Sequence, residues 1–314
     1  MGATIALVGA GVVGERISKR LEVVAPGTRI VALDTRLTRA REIARCDLVV
    51  LAHPGPHAPL VAELLACGTS VVSIGDTIDD VRAMLDLDRA ASTAGRTVVV
   101  GAGMSPGLTG LLARMLADRL EVCDEIHVAA HGTAGPACAR QHHIALGGRA
   151  IGFHDGDWMM RRSGAGRELC WFPEPVGAYD CYNAEMSEPL LLHEAFPQIA
   201  RISARMSATR RDRLTARLPM LSPPNREGGV GAVRVEVRGT DVDGGRATLI
   251  VGIAELVGTA AAATATALAR EVVRGDVPTG VVTLGDSRLD TIGLLNVVER
   301  LGVRVQEFTG IPHA

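Results

Sequence analysis

The chain is almost without lysine. Lys19 is its only one, and it stands among polar residues of the first helical segment. Chemistry built on a buried lysine, whether a Schiff base or a lysine general base, therefore has no residue to use, and acid–base work falls to His, Asp, Glu, Tyr or Cys. Excess charge of either sign is also missing: 33 Lys and Arg against 35 Asp and Glu give a net charge of -2. No basic face for nucleic acid and no polybasic membrane signal is expected. The six cysteines (Cys46, Cys67, Cys123, Cys138, Cys170, Cys181) include no C-x-x-C pair. Neither a metal site nor a disulfide frame is expected, and a reducing cytoplasm fits. The N-terminus lacks a cationic region before an apolar core, so no secretory signal is expected, and Ala6 stands where myristoylation wants Ser or Thr. No long apolar run is present either. Leu256 to Leu268 is mostly Ala and Thr between Glu255 and Arg270, too short and mild for a bilayer. The expected partner is a small molecule.

What the chain does have is Thr4 to Asp34, TIALVGAGVVGERISKRLEVVAPGTRIVALD. A short apolar strand leads into Gly9-Ala10-Gly11-Val12-Val13-Gly14, then a segment with helical spacing (Val13, Ile17, Leu21), then a second apolar strand closed by an acid. Gly9 permits the tight turn, Gly11 lets a pyrophosphate approach the backbone, and Gly14 lets the helix pack closely on the strand. The phosphates would sit on unpaired amides at the helix N-terminus, beside Val12 and Val13. Asp34, 20 residues past Gly14, is placed to accept hydrogen bonds from the adenosine ribose hydroxyls. Its charge points to NAD; Thr35 and Arg36 follow it, and Arg36 with Arg39 offers the alternative of NADP.

Strands and helices alternate through the first hundred residues. Asp47 to Ala52, Ser70 to Ile74 and Thr97 to Val100 read as apolar strands, with helices at Pro59 to Cys67 and, unbroken, Ile78 to Ala94. Fully apolar strands suit a parallel sheet covered on both faces, which predicts a doubly wound Rossmann domain over residues 1–107. The loops after its strands, at His53 to His57, Gly75 to Thr77 and Gly103 to Gly107, should face the cofactor. They make His53, Pro54, Asp76 and Ser105 cofactor-side candidates.

A helix over Leu108 to Leu120 and a strand over Glu125 to Ala130 then give way to a different composition. Seven of the chain's eight aromatic residues (Phe153, Trp158, Trp171, Phe172, Tyr179, Tyr182, Phe196) fall between 153 and 196, amid Gly and Pro and without clean alternation. Farther on, Arg234 to Arg238 and Ala247 to Ile253 form a hairpin around Asp241 to Gly245. Helices at about Leu256 to Arg274 and Leu289 to Leu301, and strands at Gly280 to Leu284 and Val303 to Phe308, close the chain. A second α+β domain on a mixed or antiparallel sheet is expected over 108–314, for substrate binding and dimerisation, with its C-terminal helices free to pack back on the first.

His53-Pro54-Gly55-Pro56 before a proline-started helix, SVVSIGD, VVVGAGMSPGLTGLLA, and WFPEPVGAYDCYNAE leading to Ser187-Glu188-Pro189 together resemble the saccharopine dehydrogenase-like (saccharopine reductase) superfamily over nearly the whole chain. The resemblance implies a nicotinamide-dependent oxidoreductase that reduces an imine formed from an amine and an oxo acid, or oxidises a secondary or primary amine. Where saccharopine-forming enzymes carry Asp-Pro-Gly, this chain has Ser105-Pro106-Gly107. A loop carboxylate near the nicotinamide is thus replaced by a hydroxyl, and the substrate domain looks shorter, both of which argue against saccharopine itself.

Imine reduction needs a proton at nitrogen, and histidine suits that near neutral pH. His131, closing the first strand of the second domain, is the first candidate, with Tyr182 as the alternative donor; His142 and His143 are further ones. Arg140, Arg161 and Arg162 are candidates for a substrate carboxylate, Arg140 first. The hairpin and the Trp and Tyr cluster suggest a homodimer. The alternatives are oxidative deamination of an amino acid or amine, and a non-catalytic dinucleotide-binding sensor or scaffold.

Overall fold

The computed structural model describes residues 2–34, 40–220 and 224–308. The chain opens with β1 (Thr4–Val8), α1 (Val12–Val24), β2 (Arg29–Leu33), α2 (Ala40–Ile43), β3 (Leu48–Leu51), α3 (Ala58–Ala66) and β4 (Ser70–Ser73). It continues with α4 (Ile78–Leu85), α5 (Asp88–Ala94), β5 (Thr97–Val99) and α6 (Leu108–Ala117). The strands pair in parallel with order β5-β4-β3-β1-β2. Alternation along β1 serves two cores. Ile5 and Leu7 pack with Ile17 and Leu21 of α1, whereas Ala6 and Val8 pack with Val61, Leu64 and Val81 of α3 and α4 on the other face.

The second domain begins with β6 (Val122–His131), α7 (Pro136–Ala145), β7 (Arg149–His154), β8 (Asp157–Arg162), β9 (Glu168–Trp171), β10 (Ala178–Asn183), α8 (Glu188–Ala195), β11 (Arg201–Ser207) and α9 (Arg210–Thr215). The hairpin follows as β12 (Val230–Thr240) and β13 (Arg246–Leu256), longer than its alternating core because the register runs unbroken from Val230↔Leu256 to Thr240↔Arg246. Asp241 shapes its turn by accepting from the amides of Asp243 and Gly245 at 3.0 and 2.8 Å. Then come α10 (Val257–Arg274), β14 (Gly280–Val282), α11 (Thr291–Arg300) and β15 (Gln306–Glu307). The second sheet runs β15-β13-β12-β6-β11-β10-β9, with β7 on β11 and β8 on β7. It is mixed: β6 and β11 pair in parallel, and its other pairs are antiparallel.

Two local expectations change. Residues 78–94 form two helices, not one, because Asp88 opens α5 and turns its carboxylate to the amide of Val281 at 2.8 Å, docking α5 beside β14. The strand β14 itself belongs to the first sheet, parallel to β5, so the chain returns to its beginning as a strand as well as through helices. Thr97 Oγ1 holds that return by donating to the Pro278 carbonyl at 2.9 Å.

The return also explains the Ala-rich composition of α10. Ala260, Ala262, Ala263, Ala265, Ala267 and Leu268 are wholly buried, and small side chains let the helix lie close to its neighbours. A Cβ on Gly258 would stand 2.9 Å from Val12 Cγ1, so the first turns of α10 and α1 touch. Among the described residues no helix is long and apolar enough to cross a membrane.

Candidate functional site

The first turns of α1 and α10, the loops after β1, β3, β4 and β5, and α7 with the start of α8 enclose a cavity of about 770 Å³. It lies at the carboxyl ends of the parallel strands, where β1 has β2 on one side and β3 on the other, the switch point at which such sheets take ligands.

At one end is the glycine turn. Gly9 has φ +115°, and a Cβ there would stand 2.5 Å from the Ala52 carbonyl oxygen. A Cβ on Gly14 would collide with the Gly9 carbonyl, while one on Gly11 would meet nothing within 4 Å and project into open space. Two glycines are thus needed for packing and one for access. Gly11 caps α1 with no side-chain bond, which leaves first-turn amides available to an anion. These features fit a pyrophosphate. Val12 and Val13 line the same wall. Opposite them Arg226 also lines the cavity, and the segment carrying it is tied to α1 by Arg16 Nη2 and Glu227 Oε2 at 2.6 Å. Asp34 is exposed just beyond β2 and lines the cavity at its ribose end. Thr35, Arg36 and Arg39 lie outside the described residues.

The loops after β3 and β4 are locked together by buried polar groups. The Asp80 carboxylate accepts from the amides of His57 and Ala58 at 2.8 Å, capping α3 from a distance. His57 is wholly buried, and burial first and His53 second push its pKa down to about 4. It is neutral, and its tautomer follows from its partners: Nε2 lies 3.0 Å from the His53 carbonyl and must donate to it, leaving Nδ1 to accept from Ser73 Oγ at 2.7 Å. Ser73 Oγ in turn accepts from the Gly75 amide at 3.0 Å. His53 and Pro54 line the cavity, held by this frame, and the buried Nε2 of His53 has no partner.

The far end is acidic. Asp76, half-buried after β4, accepts from Gln141 Nε2 at 3.1 Å, and burial pushes its pKa up to about 6. Glu188, at the first position of α8, is 1% exposed and takes a hydrogen bond from the Ser105 hydroxyl. Burial is the main cause that drives its pKa up to about 7, with the charge of Asp76 adding to it and the Ser105 bond opposing it. The hydroxyl that stands where the resemblance leads one to expect a carboxylate is therefore paired with a carboxyl from the second domain.

Of the other expected residues, Arg140 lines the cavity and is exposed at its rim. His131 and Tyr182 are not brought there. The neighbours of His131, Ala130 and Gly132, line the cavity, but its own ring turns to Ser207 Oγ at 2.8 Å and packs 4.1 Å from Tyr179. Strand alternation is the cause, since successive side chains leave opposite faces. Burial lowers its pKa. Tyr182 is 4% exposed beneath the Arg213 guanidinium, 4.1 Å from its ring centre. Arg161 and Arg162 lie on the exposed β8. His142 does line the cavity, neutral because burial, with His131 nearby, lowers its pKa to about 4.

Gln141 and Arg226 were not singled out by the sequence, and Ser187 and Glu188 entered only as part of the motif that carries the resemblance, with no site role. A weak signal existed for Glu188: it stands directly before the apolar run Pro189 to Leu192, although Glu185 three residues earlier is an exposed acid in the same stretch.

No family model and no curated protein matches the chain. Solved structures do, and at these identities the likeness is one of fold. Saccharopine dehydrogenase (L-Glu forming) from Saccharomyces cerevisiae is similar at 13% identity with a TM-score of 0.70, over 98% of this chain and 100% of that one. Amine dehydrogenase from Mycobacterium smegmatis is similar at 12% identity and TM-score 0.48, over 90% and 95%. An engineered D-amino acid dehydrogenase bound to NADP+ is similar at 13% identity and TM-score 0.49, over 94% and 96%.

Proposed function

We propose that this protein is an NAD(P)-dependent oxidoreductase that moves a hydride to or from the C–N bond of an amino-acid-derived imine or secondary amine. The observation that carries this is one cavity with a glycine-turn cradle suited to a pyrophosphate at one end and two carboxyls of raised pKa, Asp76 and Glu188, at the other. A bound dinucleotide would supply hydride transfer at its nicotinamide ring. The first-turn amides of α1 hold its pyrophosphate, Arg226 neutralises part of that charge, and Asp34 accepts from the adenosine ribose hydroxyls. That carboxylate favours NAD, with NADP as the alternative. The loops after β4 and β5, with Asp76 and Glu188, line the part of the cavity that would receive the nicotinamide. Arg140 at the rim is suited to a substrate carboxylate.

Two further features belong to this proposal. The exposed Trp158, Trp171, Tyr179, Met160 and Leu169 on β8 to β10 suit a homodimer interface, which sedimentation at micromolar concentration would test. The balanced charge and free cysteines suit the cytoplasm. The open cavity favours an enzyme over a sensor or scaffold, in which side chains would fill the nicotinamide face. The deciding experiment incubates the protein with NADH or NADPH and a matrix of oxo acids and amines, following nicotinamide absorbance. Oxidation is expected only with both partners present. Turnover with an oxo acid alone would mean an alcohol-forming dehydrogenase, and turnover of amino acids with NAD+ alone an oxidative deaminase.

A further inference from the structure

An oxidoreductase at a C–N bond must move a proton as well as a hydride, and with His131 and Tyr182 outside the cavity that group is unassigned. The first turn of α8 offers three observations that belong together. Glu188 lines the cavity while almost fully buried, and no Lys or Arg is paired with it among the described residues. The Ser105 hydroxyl, reaching across from the loop after β5, fixes one of its oxygens. Ser187 is 0% exposed, lines the same cavity, and its hydroxyl has no hydrogen-bond partner. Buried polar atoms are nearly always satisfied, so a dry, unpartnered hydroxyl facing a cavity is one that a ligand completes. A position that served packing alone would be filled better by an apolar residue, because carboxyls are seldom buried without a cationic partner.

We propose that Glu188 takes the proton from the substrate nitrogen and returns it in the reverse direction, with Ser105 as its positioning residue and Ser187 as a hydrogen-bond partner of the same substrate. This rests on the oxidoreductase function proposed above. In the oxidising direction the N–H bond breaks and its proton passes to the Glu188 carboxylate. The electron pair left on nitrogen would form the second C–N bond as the neighbouring C–H bond breaks, and a bound oxidised nicotinamide would be the two-electron acceptor that takes the hydride.

The surroundings of Glu188 set its charge. The charge of Asp76, on the loop after β4, acts on it, and that of Asp80 acts on Asp76 in turn. Cys138, Arg140 and His142 of α7 and Glu185, just before α8, are further titratable or charged residues lining the same cavity. Asp76 raises the affinity of Glu188 for its proton and Ser105 lowers it. A group poised to about 7 is half protonated at neutral pH, which is what an acid–base group needs.

Proton linkage on cofactor binding tests this without a substrate. Oxidised nicotinamide is a cation and reduced nicotinamide is neutral, so a carboxyl beside the ring should release a proton when NAD+ binds and hold it when NADH binds. Calorimetric titration of the full chain near pH 7, in buffers of different ionisation enthalpy, reads that release. Roughly half a proton is expected with NAD+, little with NADH, and none with either in Glu188→Gln. Ser105→Ala should move the release window to higher pH and Asp76→Asn to lower pH. Release that persists in Glu188→Gln, or is equal for the two cofactors, would overturn the assignment while leaving the oxidoreductase proposal standing. If neither NAD(H) nor NADP(H) binds the wild-type chain, that proposal falls, and this one with it.

Discussion

The two ends of the cavity offer a ligand opposite things. At the glycine turn the available groups are backbone amides, and side chains matter by being absent: a Cβ on Gly9 or Gly14 would collide with backbone, and one on Gly11 would project into the open space. At the other end the available groups are the half-buried Asp76 and the buried Glu188, and what matters is whether each carboxyl carries its proton. One end is governed by sterics and helix electrostatics, the other by desolvation. Substitutions should therefore break them in different ways, the first by adding atoms and the second by removing a single ionisation.

The largest effect is expected at the glycine turn. Gly9→Val would place a branched side chain at φ +115° against the Ala52 carbonyl, and Gly14→Val would drive one into the Gly9 carbonyl. Each should cost roughly 3 kcal/mol or more in stability, by strain and overpacking combined, and abolish dinucleotide binding. Urea denaturation and cofactor fluorescence titration check both. Wild-type affinity in either variant would mean that the turn is not the cradle.

Next comes a pH effect confined to the other end. Glu188 holds its proton more tightly in the folded chain than in the unfolded one, the pKa rising from 4.5 to about 7. Between those values the folded state binds more protons, so stability falls as pH rises through the window. The contribution is intact below about 4.5 and gone above about 7. Glu188→Gln should remove a pH-dependent loss of roughly 3 kcal/mol or less between pH 5 and pH 8, read as the difference of two urea-denaturation free energies. The slope that remains has opposing parts: Asp76 makes stability fall as pH rises towards about 6, whereas His57 and His142, kept neutral in the folded chain with pKa values of about 4, make it rise over the same range. An unchanged pH slope in the variant would show that Glu188 titrates normally.

Smaller again is the ribose contact. Asp34 is exposed, so Asp34→Ala should weaken NAD(H) by roughly 1–2 kcal/mol and narrow its advantage over NADP(H) about tenfold. A preference that does not move on paired fluorescence titrations would remove Asp34 from ribose recognition.

The contrast also explains what could be read in the sequence. Thr4 to Asp34 is contiguous, its glycines follow from local turn geometry, and the alternation of Ile5 and Leu7 with Ala6 and Val8 needs only a strand covered on both faces. The far end draws Asp76, Ser105, Gln141 and Glu188 from four places along the chain, and they meet only because α7 and α8 of the second domain fold over the first sheet. Asp76 and Ser105 were legible because they follow strands of the Rossmann pattern. Gln141 and Glu188 were not, since no local periodicity specifies which face of α7 or which turn of α8 will meet those loops. The join of β14 to β5 was hidden for the same reason, as a three-residue strand carries no mark of its partner.

The smallest effect is expected at His131, although the chemistry of histidine makes it the natural first choice for a proton donor. Its place at the end of β6 put it one residue from the cavity wall, and one residue along a strand is the difference between two faces. There it bonds Ser207 Oγ at 2.8 Å and packs 4.1 Å from Tyr179 and 5.9 Å from Phe172, on the aromatic side of the sheet. His131→Ala should cost about 1–2 kcal/mol in stability, from one hydrogen bond and one aromatic contact, and leave cofactor affinity within twofold. The general-acid role would instead predict a hundredfold to ten-thousandfold fall in turnover with stability nearly unchanged, roughly the contribution of a positioned proton donor. Measured side by side with Glu188→Gln on any pair that turns over, the two variants should separate cleanly. A large loss of turnover in His131→Ala with a normal Glu188→Gln enzyme would move the chemistry to the other face of β6.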